Sequence, residues 1–140
     1  RMEFWELLKK MQTRGMTILV STPYMDEAAL CDRVVLMQNG NILAVDSPSN
    51  IVKSYKGELF AVKANNMHPL LDDLLYLDNT SQVFRFGETI HITSTNTEDK
   101  DYVKTLQNQL SEKGYKDVVI KKVEPVIEDC FLALMDKDVE

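Results

Sequence analysis

The chain has 140 residues, 44% of them hydrophobic and 27% charged, a balance typical of a folded soluble domain or of two small ones. Its formal net charge is -6, which argues against a nucleic-acid surface, since phosphate binding needs lysine and arginine in excess on one face. No apolar run approaches the roughly 20 residues of a membrane span, and no signal-peptide pattern opens the chain.

Residues 2 to 14 are predicted to form a helix, with Phe4, Leu7, Leu8 and Met11 at the i, i+3, i+4, i+7 spacing of one face. Glu3 and Glu6 stand near its start and Lys9, Lys10 and Arg14 near its end, as the helix dipole prefers. Trp5 is expected in the core, and Gly15 supplies the stop. Met16 to Val20 reads as a strand without alternation, which suits a strand covered on both faces in a parallel sheet. Ser21-Thr22-Pro23-Tyr24 breaks it, and Tyr24 to Cys31 reads as a short helix. Arg33 to Gln38 and Asn41 to Val45 read as a hairpin, because Asn39-Gly40 is a strong turn signal between two strand-like runs. Ser47 is placed to cap a helix from Pro48 to about Tyr55, and a domain boundary is expected close to Lys56.

Beyond Gly57 the rhythm changes. Leu59 to Ala64 reads as a strand and His68 to Leu77 as a helix. Val83 to Phe86 and Thr89 to Thr93 read as a second hairpin, Asp101 to Lys113 as a helix, and Val118 to Val123 as a strand. A tail helix starts at Pro125 and is expected to turn Ile127, Cys130, Phe131 and Leu134 inward. The order βαββαβ plus a tail helix fits a ferredoxin-like, split βαβ plan of α+β class for residues 57–140.

Chemistry-bearing residues are few. Cys31 and Cys130 sit far apart in apolar helical patterns and read as buried free thiols, which points to a cytosolic compartment. His68 and His91 read as surface residues, with no neighbours at metal-ligand spacing. Glu128 and Asp129 are adjacent on a helix, so they diverge by about 100° and do not converge on one substrate atom. They read as compensation of the helix dipole.

The motifs together resemble the ATP-binding subunits of ABC transporters. Arg1-Met2-Glu3-Phe4-Trp5 resembles the stretch after the family's D-loop. Gly15 to Pro48, "GMTILVSTPYMDEAALCDRVVLMQNGNILAVDSP", resembles its switch strand, following helix and terminal hairpin. Glu124 to Phe131, "EPVIEDCF", resembles the close of a small accessory domain in subunits that serve drug or polymer exporters. The resemblance implies that residues 1–56 are the C-terminal part of an α/β P-loop NTPase domain, with an incomplete sheet, and that residues 57–140 are an accessory or regulatory domain. It implies ATP and Mg²⁺ as cofactors of the longer subunit, membrane permease subunits and a second ATP-binding subunit as partners, and a place at the cytoplasmic face of the membrane.

The 140 residues hold no G-x-x-x-x-G-K-[ST] phosphate loop. The family's signature loop, metal-binding Asp and catalytic Glu are expected before Arg1. This chain is therefore expected to hold no cofactor or metal and not to hydrolyse ATP by itself. The family's switch strand ends in a histidine that contacts the γ-phosphate, and the alignment of YMDEA puts Pro23 at that position. Proline has neither a side-chain donor nor a backbone N–H. Two readings stay open: a degenerate catalytic site, or a turn residue with Thr22 making the phosphate contact. A second functional reading also stays open, in which the rear half is a stand-alone regulatory, dimerisation or ligand-binding module. The apolar strand Met16 to Val20 and the apolar helix face point to a homo-oligomer.

Overall fold

A computed structural model describes residues 1–78, 80–95 and 100–137. The front of the chain builds α1 (Met2–Thr13), α2 (Met25–Ala28), the antiparallel hairpin β1 (Val34–Gln38) and β2 (Asn41–Asp46), and α3 (Pro48–Lys53). The hairpin turns where Asn-Gly predicts it, with positive φ at both Asn39 (51°) and Gly40 (78°). Ser47 caps α3 by accepting the Asn50 N–H at 3.3 Å, and Pro48 takes the first turn.

One predicted element is absent. Residues 16–20 form no strand among the described residues, and Leu19 is 98% exposed. The apolar run is real, but a strand needs a neighbour to take its backbone N–H and C=O groups. The front half therefore shows a two-stranded hairpin and not the switch strand of a parallel sheet. The face expected of α1 is partly uncovered: Phe4 and Leu7 are exposed and Leu8 and Met11 half-buried, while Trp5 is buried.

The rear of the chain builds β3 (Glu58–Lys63), α4 (Met67–Leu75), β4 (Thr80–Phe86), β5 (Thr89–Ser94), α5 (Tyr102–Glu112), β6 (Val119–Val123) and α6 (Ile127–Lys137). The four strands form one sheet in the order β4-β5-β3-β6, with every neighbouring pair antiparallel. Phe60, Val62, Ile90 and Ile92 meet Leu70 and Leu74 of α4 and Leu106 and Leu110 of α5 in one core. Fully burying an aliphatic side chain of this size stabilises by about 1.5–3 kcal/mol, so this cluster dominates the stability of the rear half.

α6 does not join that core. Ile127, Cys130, Phe131 and Leu134, at i, i+3, i+4, i+7, pack with Ala28, Val34, Leu36 and Ile51 of the front half. The tail helix thus closes a second core assembled from both ends of the chain. Asp129 and Ala133, on the adjoining face of α6, reach the second face of the rear sheet. No helix among the described residues is long and apolar enough to cross a membrane.

Candidate functional site

Residues 21–27 carry the sequence-predicted site. Thr22 and Pro23 sit in irregular backbone just ahead of α2. The Thr22 hydroxyl accepts the Tyr24 N–H at 3.1 Å, a side-chain-to-backbone turn that spans Pro23. The same hydroxyl donates to Glu27 Oε2 at 2.6 Å. Arg1 closes the far side, with Nε 2.8 Å from Glu27 Oε1, the guanidinium 3.4 Å from Asp26, and its carbon 4.4 Å from the Tyr24 ring centroid. The Thr22 hydrogen bond holds the Glu27 carboxyl below the ordinary carboxylate range, against the effect of burial, and Trp5 and Arg1 add to the lowering. The Trp5 indole nitrogen is buried beside this cluster without a well-aligned acceptor among the described residues.

This arrangement fixes a turn. Thr22 has one proton to donate, and it goes to Glu27. A phosphate contact from Thr22 requires that bond to break. Pro23 is exposed and offers no donor of its own. The loop carries a defined shape with no nucleophile and no general base at its tip.

A second polar arrangement joins the halves of the molecule. His91 Nδ1 lies 2.7 Å from Asp129 Oδ1, with side chains only 9% and 4% exposed. A carboxylate accepts, so the imidazole carries its proton on Nδ1. Phe86 stacks on the His91 ring, with centroids 4.1 Å apart and planes 4° from parallel. The other Asp129 oxygen accepts the Val126 N–H at 2.9 Å, the backward half of a capping box at the start of α6. Asp129 was expected only to compensate a dipole and His91 only to face solvent. The structure corrects both, because α6 covers the face of β5 on which His91 stands. Nothing in the local pattern reveals a contact that spans 38 positions.

The remaining candidates lie apart. Both cysteines are free; Cys31 is half-buried and Cys130 buried. Burial raises the Cys31 thiol pKa and pushes that of Cys130 up to about 11, so neither is a ready nucleophile at neutral pH. Glu128 is exposed on α6, and His68 lies in the first turn of α4. No group of three His, Cys, Asp or Glu among the described residues is placed to hold a metal ion.

No protein-family model matches the chain. It is 26% identical over 137 residues, 96% of its length, to the probable multidrug ABC transporter ATP-binding protein YbhF of Escherichia coli strain K12. It is 28% identical over 97% of its length to the Nod factor export ATP-binding protein I of Mesorhizobium japonicum. It is 25% identical over its whole length to the protein of the same name from Neorhizobium galegae. The chain spans 23% of the first of these relatives and 38% of each of the other two.

Proposed function

From the premise that this chain is a relative, along nearly its whole length, of ABC transporter ATP-binding proteins, we propose that it forms the C-terminal part of such a subunit. Residues 1–56 end the ATP-binding domain, and residues 57–140 make a ferredoxin-like accessory domain. The strand order β4-β5-β3-β6 with α4 and α5 against one face supports the latter assignment. The observation that carries the reading is a match covering nearly all of this chain but only a minor part of each relative. ATP and Mg²⁺ then belong to the longer subunit, which works on the cytoplasmic side of a membrane with permease subunits and a second ATP-binding subunit.

The chain itself binds no ATP with useful affinity, since the phosphate loop is absent from its sequence. Calorimetric titration with Mg-ATP is expected to give no specific heat, while the longer subunit binds and hydrolyses Mg-ATP. A longer subunit that does neither contradicts the reading, as does a saturable micromolar isotherm for the chain alone.

At Pro23 we favour a degenerate contact, because the proline has no donor and the Thr22 proton is already committed to Glu27. Pro23→His in the longer subunit restores an oriented donor and is expected to raise turnover, by up to about 10². Unchanged turnover in an active subunit makes Pro23 a turn residue and nothing more.

A regulatory or ligand-binding role for the rear half is a second reading. It is favoured by the tether from α6 to β5 and by the open space beside it.

A further inference from the structure

A cleft of about 390 Å³ opens where the end of α3, the second face of the rear sheet and α6 meet. Small-molecule sites occupy about 300–1,000 Å³ and favour junctions between structural units. The walls here are built and held. Gly57 has φ of 96°, and a Cβ at this position would stand 2.8 Å from Thr93 Cγ2 and 3.0 Å from the Ser94 carbonyl oxygen. Only glycine lets the linker lie so close to β5. The Tyr55 hydroxyl bonds Thr93 Oγ1 at 2.5 Å, and Gln82 Nε2 donates to the Ala133 carbonyl at 3.4 Å. The Cys130 thiol donates to the Ile51 carbonyl at 3.5 Å, tying α6 to α3.

The lining has a definite chemistry. Cys130, Ala133 and Leu134 of α6 give one apolar side. Ser81 and Gln82 of β4 offer a hydroxyl and a carboxamide, and Lys56 and Lys137 add two ammonium groups. No carboxylate lines the cleft among the described residues, although the chain carries 22 Asp and Glu against 16 Lys and Arg. Neither lysine has an ion-pair partner among those residues. Two cations with no ion-pair partner among the described residues, at a concave site, favour an anion. Hydroxyl and amide groups beside an apolar wall suit a ligand that carries hydroxyls on an otherwise apolar ring.

We propose that this cleft binds a small hydroxylated oxyanion, of the chemical class of a monophosphorylated sugar. The oxyanion lies toward Lys56 and Lys137, the hydroxyls toward Ser81 and Gln82, and the ring against Ala133 and Leu134. The role is binding and not covalent capture, since the Cys130 thiol stays protonated near neutral pH. The site stands on this chain's own residues, whether or not the chain serves a transporter.

The test is a titration of the ¹⁵N-labelled chain, followed by amide NMR, with glucose 6-phosphate, glucose and inorganic phosphate as separate probes. Glucose 6-phosphate is expected to give saturable shifts concentrated at the cleft, with glucose and phosphate each at least tenfold weaker. The double variant Lys56→Gln with Lys137→Gln is expected to weaken glucose 6-phosphate at least tenfold with an unchanged melting curve. If that variant is unfolded, the paired Lys→Arg variant, which keeps both charges, is expected to retain binding, and its loss counts against the site. No saturable shift into the tens of millimolar overturns the proposal. So do shifts scattered over other lysines, or equal affinity in the double variant. Phosphate binding as tightly as the sugar phosphate overturns the assignment of a hydroxylated ligand.

Discussion

The two halves of this molecule meet the same requirement differently. The rear half pairs four strands with one another and covers one face with α4 and α5, so Val62, Leu70, Leu74, Ile92 and Leu110 are fully enclosed. The front half has one hairpin, and its apolar residues divide. Val34 and Leu36 point into a core that needs α6 to close it. Val35 and Met37, alternate positions on the same strand, stand 49% and 54% exposed beside their cross-strand partners Val45 and Ile42, which are exposed too. A strand that is apolar on both faces belongs in a sheet with cover on both sides. The core between the rear sheet and its helices α4 and α5 is closed by the rear half alone, and the front half presents surfaces for something else to cover. That contrast fits the proposed place of the front half at the end of a larger ATP-binding domain.

The largest expected effect lies at the tether between the halves. Asp129→Ala removes the partner of a buried histidine and one cap of α6 together. It is expected to cost about 3–5 kcal/mol in denaturant unfolding. A cost below about 1 kcal/mol means that α6 is held by its apolar stripe alone, since surface-like losses have that size. The contrast in packing is sharpened by two truncations of one residue type. Leu74→Ala in the rear core is expected to cost about 2–5 kcal/mol. Leu19→Ala, at a side chain 98% exposed, is expected to stay within about 0.5 kcal/mol of zero. Equal costs at the two positions would break the comparison.

Much of this arrangement is legible in the sequence. Asn39-Gly40, Ser47-Pro48 and the glycines at 15, 57, 87 and 114 punctuate the chain close to where the elements end. Local chemistry sets such boundaries, and local chemistry is what a sequence states directly. What it does not state is who covers whom. Met16 to Val20 has a strand's composition and no strand, because pairing is a property of the neighbour. Phe131, expected to turn inward from the tail helix of the rear half, packs with the front cluster, since a helical stripe records that a face is apolar and not which face it meets. At the candidate site, Thr22 was legible as the hydroxyl next to Pro23. Its engagement by Glu27, five residues on, was not. His91 and Asp129 are both legible as polar residues on their elements, and only the fold brings them together.

A smaller effect comes from pH. Burial, helped by the neighbouring Asp73, raises the Tyr115 hydroxyl pKa from an ordinary 10 to about 12, and burial does the same for Tyr102. A group whose folded pKa is raised lends stability that is complete below its unfolded pKa and is lost as pH rises through the folded one. The rear half is therefore expected to lose stability between about pH 10 and 12, and Tyr115→Phe to flatten part of that loss. Asp73 moves the other way. Its hydrogen bond from Tyr115, and then the nearby Lys113, hold its carboxyl below the ordinary 3.8. Its contribution is present above that value and fades as pH falls below it. Chemical unfolding followed across both ranges reads each loss separately.

The central claim, that the front half is completed by a larger ATP-binding domain, is tested most directly by amide hydrogen exchange at residues 17–20. In the chain alone the amides of residues 17–20 are expected to exchange without measurable protection, because no strand pairs with them among the described residues, whereas the Met16 N–H donates to the Met11 carbonyl at 3.3 Å and is left out of the comparison. In the longer subunit the same amides are expected to become protected as a central strand of its sheet, while protection of β3 and β5 stays as it is in the chain alone. Exchange at residues 17–20 that is equally fast in both would contradict the account.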